Sequence, residues 1–466
     1  MDQKTIKTTK RTIPIPDGVD SESILLELIS GFNDNPYLCA LYGPIPKQFS
    51  NNSTSSDYPY NYYQFEWIFG AGKNVWTQPT KTITNSNSNF QDFEELCSNN
   101  PKYRMGFFPF EHKSVHKQTA AHEQHDLKNQ IHRATWFEAD VFLKCKGKEI
   151  IIENDAHNII ENMLLQIFSK TTRNKATNPT SRTVSNKALL KDILKCNTTK
   201  KEYLSNVNKI KELIRDGILY ELNYCIEWSG VHPIKDPENL WLRMVRHSQA
   251  PFSAFMRLED QYILSTSPER FLSKNGALVI AQPIKGTSKR KKQKHSDRIQ
   301  FKKLSESIKE IAEHVMIVDL IRNDLAKCLD PISIRVAELF KVCAFQTVHQ
   351  MISTIEGNCS ENFSINGLLE STFPPGSMTG APKESVCIHI PKLEKATRGI
   401  YSGCLGYIEP SYTCDLSVVI RTLTYNKKNK NISVKTGSAI TWDSTPQDEW
   451  EECKIKIESI LKQEID

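Results

Sequence analysis

Two pairs of glutamates in this sequence have the spacing of a divalent-cation site. Glu310 and Glu313 lie three residues apart in a segment predicted to be helical, and Glu449 and Glu452 lie three apart near the C-terminus. Residues i and i+3 share one helix face, so each helix can offer two carboxylates to a common centre. Magnesium prefers oxygen ligands and keeps several waters, so a few glutamates and substrate oxygens suffice. Glutamate pairs are also common on solvated helix surfaces, and the spacing alone leaves both interpretations open.

A lysine and a glutamate could act as a nucleophile and an acid. Lys285 stands in the segment PIKGT, where desolvation can remove part of its charge and make the amine nucleophilic. Glu269 lies sixteen residues upstream in SPERF and could protonate a leaving hydroxyl if burial raises its pKa. A surface lysine and an ion-paired glutamate would show the same spacing.

A glycine-rich segment and an arginine could bind a carboxylate. The segment 373–383, FPPGSMTGAPK, precedes a predicted helix, and backbone amides at a helix start can hold a carboxylate. Arg421 lies in the predicted strand 416–425, where its guanidinium could pair with a carboxylate through two hydrogen bonds. An ordinary strand-to-helix connection and a cross-strand arginine are the structural alternatives.

The elements that position these residues are predicted from hydrophobic periodicity. Thr199 and Glu202 have the spacing of a capping box ahead of an amphipathic helix, and the segment 305–327 predicts a second long helix. The segments 416–425 and 432–441 predict a β-hairpin, which a final helix follows. Strands mixed with segregated helices predict an α+β fold.

Composition sets the class of protein and its organisation. The chain has 466 residues, a formal charge of +6 and twelve cysteines with no C-x-x-C pair. A polar N-terminus and the lack of a long apolar run predict a soluble cytoplasmic protein with no membrane span. The charge is small, and the basic run 289–294 has no aromatic stacking pattern, so nucleic-acid binding is not predicted. The polar segment 170–187 predicts a linker.

Together, these segments resemble the chorismate-utilising enzymes, which include the large components of anthranilate and aminodeoxychorismate synthases and the isochorismate and salicylate synthases. The resemblance covers roughly residues 195–466, and its motifs are, in the family's order, SPERF, PIKGT, EIAEHVMIVDLIRNDL, FPPGSMTGAPK, IYSGCLGYI, LSVVIRTL, TGSAI and DEWEE. It implies an α+β body of two antiparallel sheet layers with external helices. A catalytic region, 188–466, and a more weakly similar N-terminal region, 1–170, would then form one intertwined body.

The resemblance also implies roles for the four glutamates. In the family, the two Glu-x-x-Glu helices hold Mg²⁺ on the ring carboxylate of chorismate. By this correspondence Glu313 and Glu452 are direct ligands. Glu310 and Glu449 lie beside them or bridge through water.

Other positions match family residues that contact chorismate. Glu269 matches the acid that helps the C4 hydroxyl leave. The matches to residues that bind the enolpyruvyl carboxylate or line the pocket are Tyr401, Arg421, Gly437, Gly286, Thr287 and Thr379.

The residue type at position 285 distinguishes family members that catalyse different reactions. Lysine here resembles the aminodeoxychorismate synthases, whereas anthranilate synthases typically have alanine. The implied mechanism uses Lys285 as a nucleophile at C2 while the C4 hydroxyl leaves, and ammonia then adds at C4 and expels the lysine. The product would be 4-amino-4-deoxychorismate, on the route to 4-aminobenzoate and folate. The alternatives are an anthranilate synthase large component and a non-catalytic chorismate-binding relative.

Three positions depart from the family pattern. Glu221 occupies the position of the lysine base of isochorismate and salicylate synthases, which argues against activation of water at C2. Gln350 replaces a common histidine, and Ala439 replaces the second glycine of a turn.

The source of ammonia is the remaining question of function. The segment around Cys404 superficially resembles the cysteine elbow of an amidotransferase, but no histidine follows Cys404 in the chain. We therefore predict that Cys404 is a core residue. A separate glutamine amidotransferase subunit is the implied partner, with free ammonia as an alternative donor.

Overall fold

The computed structural model describes residues 10–43, 65–78, 90–113, 133–174, 188–345, 347–360 and 363–465. The strands are β1 (Arg11–Pro14), β2 (Tyr37–Tyr42), β3 (Trp67–Gly72), β4 (Val75–Thr77), β5 (Arg104–Phe108), β6 (Thr135–Glu138), β7 (Val141–Lys146), β8 (Glu149–Asp155), β9 (Ala188–Leu189), β10 (Lys195–Cys196), β11 (Glu221–Val231), β12 (Phe252–Leu258), β13 (Gln261–Ser267), β14 (Arg270–Asn275), β15 (Leu278–Gln282), β16 (Ile284–Lys289), β17 (Arg335–Ala344), β18 (Val348–Asn358), β19 (Gly380–Ala381), β20 (Cys404–Ile408), β21 (Cys414–Val418), β22 (Thr422–Asn426), β23 (Asn431–Ile440) and β24 (Glu464–Ile465). The helices are α1 (Ser21–Gly31), α2 (Gln91–Asn99), α3 (Ile160–Asn174), α4 (Leu190–Ile193), α5 (Lys200–Arg215), α6 (Pro237–Ser248), α7 (Lys294–Ser305), α8 (Ile308–Ala326), α9 (Ile365–Thr372), α10 (Gly376–Thr379), α11 (Lys383–Leu393) and α12 (Pro446–Leu461).

Two large antiparallel sheets organise these elements. The larger sheet has the order β1-β8-β7-β3-β2-β12-β13-β22-β23-β11-β10, with β19 paired to β11. The smaller has the order β16-β18-β15-β14-β21-β20-β5-β6-β4, with β17 paired to β18. Strands from both sides of the segment 170–187 lie next to each other in both sheets, as β2 does with β12 and β5 with β20.

The sheets pack face to face over an apolar layer. Phe142 and Met256 from the larger sheet meet Met105, Phe107 and Leu405 from the smaller one, and all five are almost fully buried. Helices such as α1, α5, α6 and α12 cover the outer face of the larger sheet through a second apolar cluster. This arrangement confirms the predicted α+β class with two antiparallel layers and external helices. No helix in the described ranges has the length and apolarity that crossing a bilayer would require.

Local signals predicted the helices well. The capping box at α5 is present, because Thr199 Oγ1 accepts the Glu202 amide while the Glu202 carboxylate accepts the Thr199 amide. The predicted helix 305–327 corresponds to α8, which begins at Ile308, after the Ser307 cap, and ends at Ala326. In the predicted linker 170–187, α3 continues to Asn174, and residues 175–187 lie outside the described residues.

The prediction of one strand over 416–425 is wrong. The chain forms β21 in the smaller sheet, crosses over, and continues as β22 in the larger sheet. Arg421 lies at this crossing with a φ of 53°, a left-handed conformation that interrupts the extended backbone. Arg421 is therefore a residue of a sheet-to-sheet corner and is not on a strand.

Candidate active site

Lys285 and Glu221 form a buried ion pair between the two sheets. Lys285 lies on β16 of the smaller sheet, and its Nζ donates to Oε1 of Glu221, at the start of β11 of the larger sheet, at 2.6 Å. Glu221 is fully buried and Lys285 is 8% exposed. Burial favours a lower pKa for Lys285, but the carboxylates of Glu221 and Glu313 outweigh it and raise the pKa. The expectation that desolvation would neutralise Lys285 is thus wrong for this structure.

Glu269 lies beside this pair, where the chain passes from β13 to β14 and so from one sheet to the other. Its carboxyl Oε1 accepts a hydrogen bond from Ser377 Oγ at 2.6 Å. Burial raises the pKa of Glu269 to about 7, although Ser377 and the Lys285 charge both act to lower it. A carboxyl group with this pKa can be protonated near neutral pH and can donate a proton.

The two sheet-to-sheet crossings lie side by side. The Val418 amide donates to the Glu269 carbonyl at 3.0 Å, and the Thr266 amide donates to the Arg421 carbonyl at 3.1 Å. Backbone hydrogen bonds thereby fix the positions of Glu269 and Arg421 relative to each other, although 152 residues separate them in the sequence.

Arg421 and three other residues form a polar corner of the site. The Arg421 guanidinium donates to the Lys456 carbonyl at 2.5 Å, and Lys456 Nζ donates to the Gly437 carbonyl at 2.9 Å. Tyr401 is buried nearby and acts electrostatically on Arg421, whose own pKa is lowered by burial. A carboxylate is the natural ligand for two half-buried cationic side chains and a buried phenol.

The four glutamates predicted to bind a cation come from α8 and α12, which meet through Lys309. Lys309 Nζ lies 3.8 Å from Glu313 and 3.4 Å from Glu449. Burial and the nearby Glu452 charge raise the pKa of Glu310, so these carboxylates face each other across the two helices. Burial also raises the pKa of Glu313 to about 7. An excess of carboxylates gathered at one place is electrostatically costly and favours a cation.

These residues fit magnesium as donors. Glu313 Oε1 is buried without a hydrogen-bond partner among the described residues, and a buried carboxylate oxygen calls for one. In the described ranges no three His, Cys, Asp or Glu side chains are grouped closely enough to hold a metal ion alone. Magnesium commonly takes only one or two protein carboxylates and completes its shell with water and substrate oxygens.

The remaining predicted residues differ in their surroundings. Gly286 has a φ of 75°, and a Cβ there would lie 3.0 Å from Glu310 Oε2, so only glycine suits this approach. Thr379 is fully buried and donates to the Gly376 carbonyl at 3.1 Å. Thr287 is exposed at the edge of the smaller sheet, opposite Gln350 on β18.

The segment 373–383 is held in place by Lys383. Its Nζ donates to the carbonyls of Thr372 and Pro374 at 2.8 and 2.9 Å and pairs with buried Asp324 of α8 at 2.5 Å. Lys383 therefore ties the loop that carries Ser377 to the helix that carries Glu313.

We predict that Lys383→Met lowers the free energy of unfolding by about 2–4 kcal/mol, because it leaves Asp324 and two carbonyls without their shared cation. Lys327, 3.2 Å from Asp324, limits the loss. Chemical denaturation measures the change, with Lys392→Met, exposed on the same helix, as the control. Equal stability of the two variants would show that the contacts of Lys383 do not stabilise the fold.

Sequence reasoning missed three residues of this site. Lys456 lies four residues after Glu452 and pairs with it at 2.5 Å, a spacing that could have revealed it. Ser377 is 108 residues from Glu269, and no local signal connects them. His314 is fully buried, and neither ring nitrogen has a hydrogen-bond partner within the described structure. Burial and the Lys285 charge lower the pKa of His314 to about 3, so its ring is neutral.

The sequence of this chain is similar to those of known chorismate-binding enzymes. The sequence profile of a family described as chorismate binding enzyme matches residues 49–462. Aminodeoxychorismate synthase component 1 of Escherichia coli K12 is 37% identical over 267 residues, which are 57% of this chain and 58% of that protein. Anthranilate synthase component 1 of Lactococcus lactis is 32% identical over 266 residues, 57% of this chain and 58% of that protein. This chain thus covers less than two thirds of the length of these relatives.

Solved structures share the fold. Anthranilate synthase component I from Streptococcus pneumoniae superposes with a TM-score of 0.61 and 22% identity, covering 77% of this chain and 80% of that one. The menaquinone-specific isochorismate synthase from Escherichia coli superposes with a TM-score of 0.68 and 14% identity, covering 97% and 94%. Proteins named for different activities therefore share this two-sheet architecture.

Proposed function

This chain belongs to the chorismate-binding enzyme family, and we propose that within it the chain aminates chorismate at C4, as the large component of an aminodeoxychorismate synthase. The product would be 4-amino-4-deoxychorismate, a precursor of 4-aminobenzoate and folate. The 37% identity to a protein named aminodeoxychorismate synthase component 1 supports this choice.

The observation that carries the proposal is the position of Lys285. Its Nζ lies in a buried site that also contains Glu269 with its raised pKa. An amine and a protonatable carboxyl group in one pocket can attack one carbon of a ring and release a hydroxyl from another.

The chain's own side chains divide the work. Lys285 forms a bond to C2 as the ring double bonds shift and the C4–O bond breaks, and Glu269 gives the leaving hydroxyl its proton. Ammonia then bonds to C4, the C2–N bond breaks, and Glu269 takes back a proton from the new ammonium group. Arg421 and Lys456, with Tyr401, hold a substrate carboxylate away from the reacting carbons.

The carboxylates of α8 and α12 would hold Mg²⁺ against the ring carboxylate. When bound, magnesium would neutralise that carboxylate and orient the ring. In the proposed arrangement Glu313 and Glu452 are ligands, and Glu310 and Glu449 bind beside them or through water.

Ammonia would come from a separate glutamine amidotransferase. The relatives named component 1 indicate an enzyme of more than one component. Cys404 is fully buried on β20, and burial raises the pKa of its thiol, so this cysteine is unsuited to glutamine hydrolysis.

The test is to incubate the purified chain with chorismate, Mg²⁺ and ammonium at mildly alkaline pH and to identify the product by mass spectrometry. We expect aminodeoxychorismate, which an added lyase converts to 4-aminobenzoate. Anthranilate or isochorismate as the product would reject the assignment while leaving the family unchanged. Binding of chorismate without turnover, with either ammonium or a glutamine-hydrolysing partner present, would indicate a non-catalytic relative.

A further inference from the structure

In the proposed amination, on which this inference rests, Lys285 attacks C2 although it forms an ion pair with Glu221. Lys285 must present a lone pair to carbon, yet Glu221 and Glu313 raise its pKa and keep it protonated. The proton has to leave Nζ before the bond to C2 forms. The nucleophile therefore needs an acceptor inside the site.

Glu221 is placed to be that acceptor. Within the described part of the chain it is the only ion-pair partner of Lys285, through the 2.6 Å hydrogen bond to Oε1. Its second oxygen, Oε2, is buried and has no hydrogen-bond partner among the described residues. Among the described residues, Lys285 is the cationic partner of Glu221. A proton that moves from Lys285 to Glu221 leaves both side chains uncharged in their buried surroundings.

The other titratable groups near Lys285 have different roles. Glu269, at the β13–β14 crossing, is bonded to Ser377 and must itself be protonated to release the hydroxyl. Glu313, on α8, faces Lys309 and the cation site. His314 on the same helix is neutral and has no hydrogen bond to Nζ.

We propose that Glu221 is the proton acceptor of Lys285. The proton moves from Nζ to Oε1 along the existing hydrogen bond, which turns a buried ion pair into a neutral pair with no change in net charge. The freed lone pair bonds to C2 while Glu269 protonates the departing C4 hydroxyl to water. When ammonia has added at C4 and the C2–N bond breaks, Lys285 leaves as a neutral amine and regains its proton from Glu221.

The proposal predicts a pH signature for Glu221→Gln, which keeps the shape and the hydrogen bond but removes the basic oxygen. In the native enzyme the proton stays within the pair, so attack does not depend on solvent pH through Lys285. In the variant Lys285 must lose its proton to solvent. At pH 7.5 we expect kcat to fall by about 100-fold or more, with less change in KM. The ratio of variant to native kcat should then recover about tenfold per pH unit as pH rises, until Lys285 is neutral.

A second readout is independent of turnover. Competitive labelling with acetic anhydride, read by mass spectrometry of the peptide containing Lys285, measures the pH at which this amine becomes neutral. Without the Glu221 charge, that midpoint should fall by about one unit or more. It should also match the pH at which the kinetic ratio stops rising. The matched control is Glu227→Gln, also on β11, whose partner is the partly buried Lys435 at 3.3 Å; it should leave the Lys285 midpoint unchanged.

The outcomes separate the two proposals. If native enzyme produces no aminodeoxychorismate, the proposed function fails, whatever the labelling shows. If it does, a Glu221→Gln deficit that is the same at every pH indicates a structural role and overturns the acceptor, as does an unchanged kcat. An unchanged labelling midpoint would show that the pair does not control Lys285.

Discussion

Lys285→Ala is expected to reduce amination of chorismate on the order of 10³-fold or more, because it removes the buried amine that is hydrogen-bonded to Glu221 and acts on Glu269. The loss should fall on kcat, with a smaller change in KM, since Arg421 and Lys456 still hold the substrate. Product formation under ammonium, followed by mass spectrometry, gives the rate.

The same substitution removes the partner of the fully buried Glu221 carboxylate. A loss of stability could therefore lower the activity without any effect on the chemical step. Leaving Glu221 uncompensated should cost about 3–5 kcal/mol of folding free energy. The double variant Glu221→Ala with Lys285→Ala removes both charges and should regain most of that stability while staying inactive. A stable double variant that aminates chorismate at the native rate would exclude Lys285 as the nucleophile.

Local sequence signals explain how much of the fold could be predicted. The Thr199–Glu202 capping box acts within one helical turn, so its spacing alone indicates where α5 begins. The start of α8 was predicted three residues too early because the Ser307 cap was not recognised. The segment 416–425 was predicted as one strand because apolar and β-branched residues lie on both sides of Arg421. The strand before Arg421 belongs to the smaller sheet and the strand after it to the larger sheet, and hydropathy does not record that exchange.

The chemistry of the site depends on contacts that no spacing encodes. Lys285 and Glu221 are 64 residues apart and come from different sheets. Sequence patterns predicted the residue types for an acid, a nucleophile and a cation site. They could not predict that Glu221 would hold Lys285 protonated, because a pKa depends on which charges the fold places nearby.

Glu269→Gln is the second substitution with a large expected effect. An amide cannot protonate the leaving C4 hydroxyl, so kcat should fall by about 10²- to 10⁴-fold. The isosteric glutamine can still accept the Ser377 hydrogen bond, so the fold should be preserved. Thermal unfolding of the variant alongside the native chain checks this.

The pH profile tests whether Glu269 acts as the acid. Its pKa is raised to about 7, so the protonated form dominates below that pH and declines tenfold per unit above it. With unprotonated ammonia held constant, native kcat/KM should fall above about pH 7, and Glu269→Gln should lack this limb. Ser377 stabilises the ionised form, so Ser377→Ala should raise the pKa of Glu269 and move the limb to higher pH. A limb that stays in place in both variants belongs to another group, and the acid would then have to be sought outside the β13–β14 crossing.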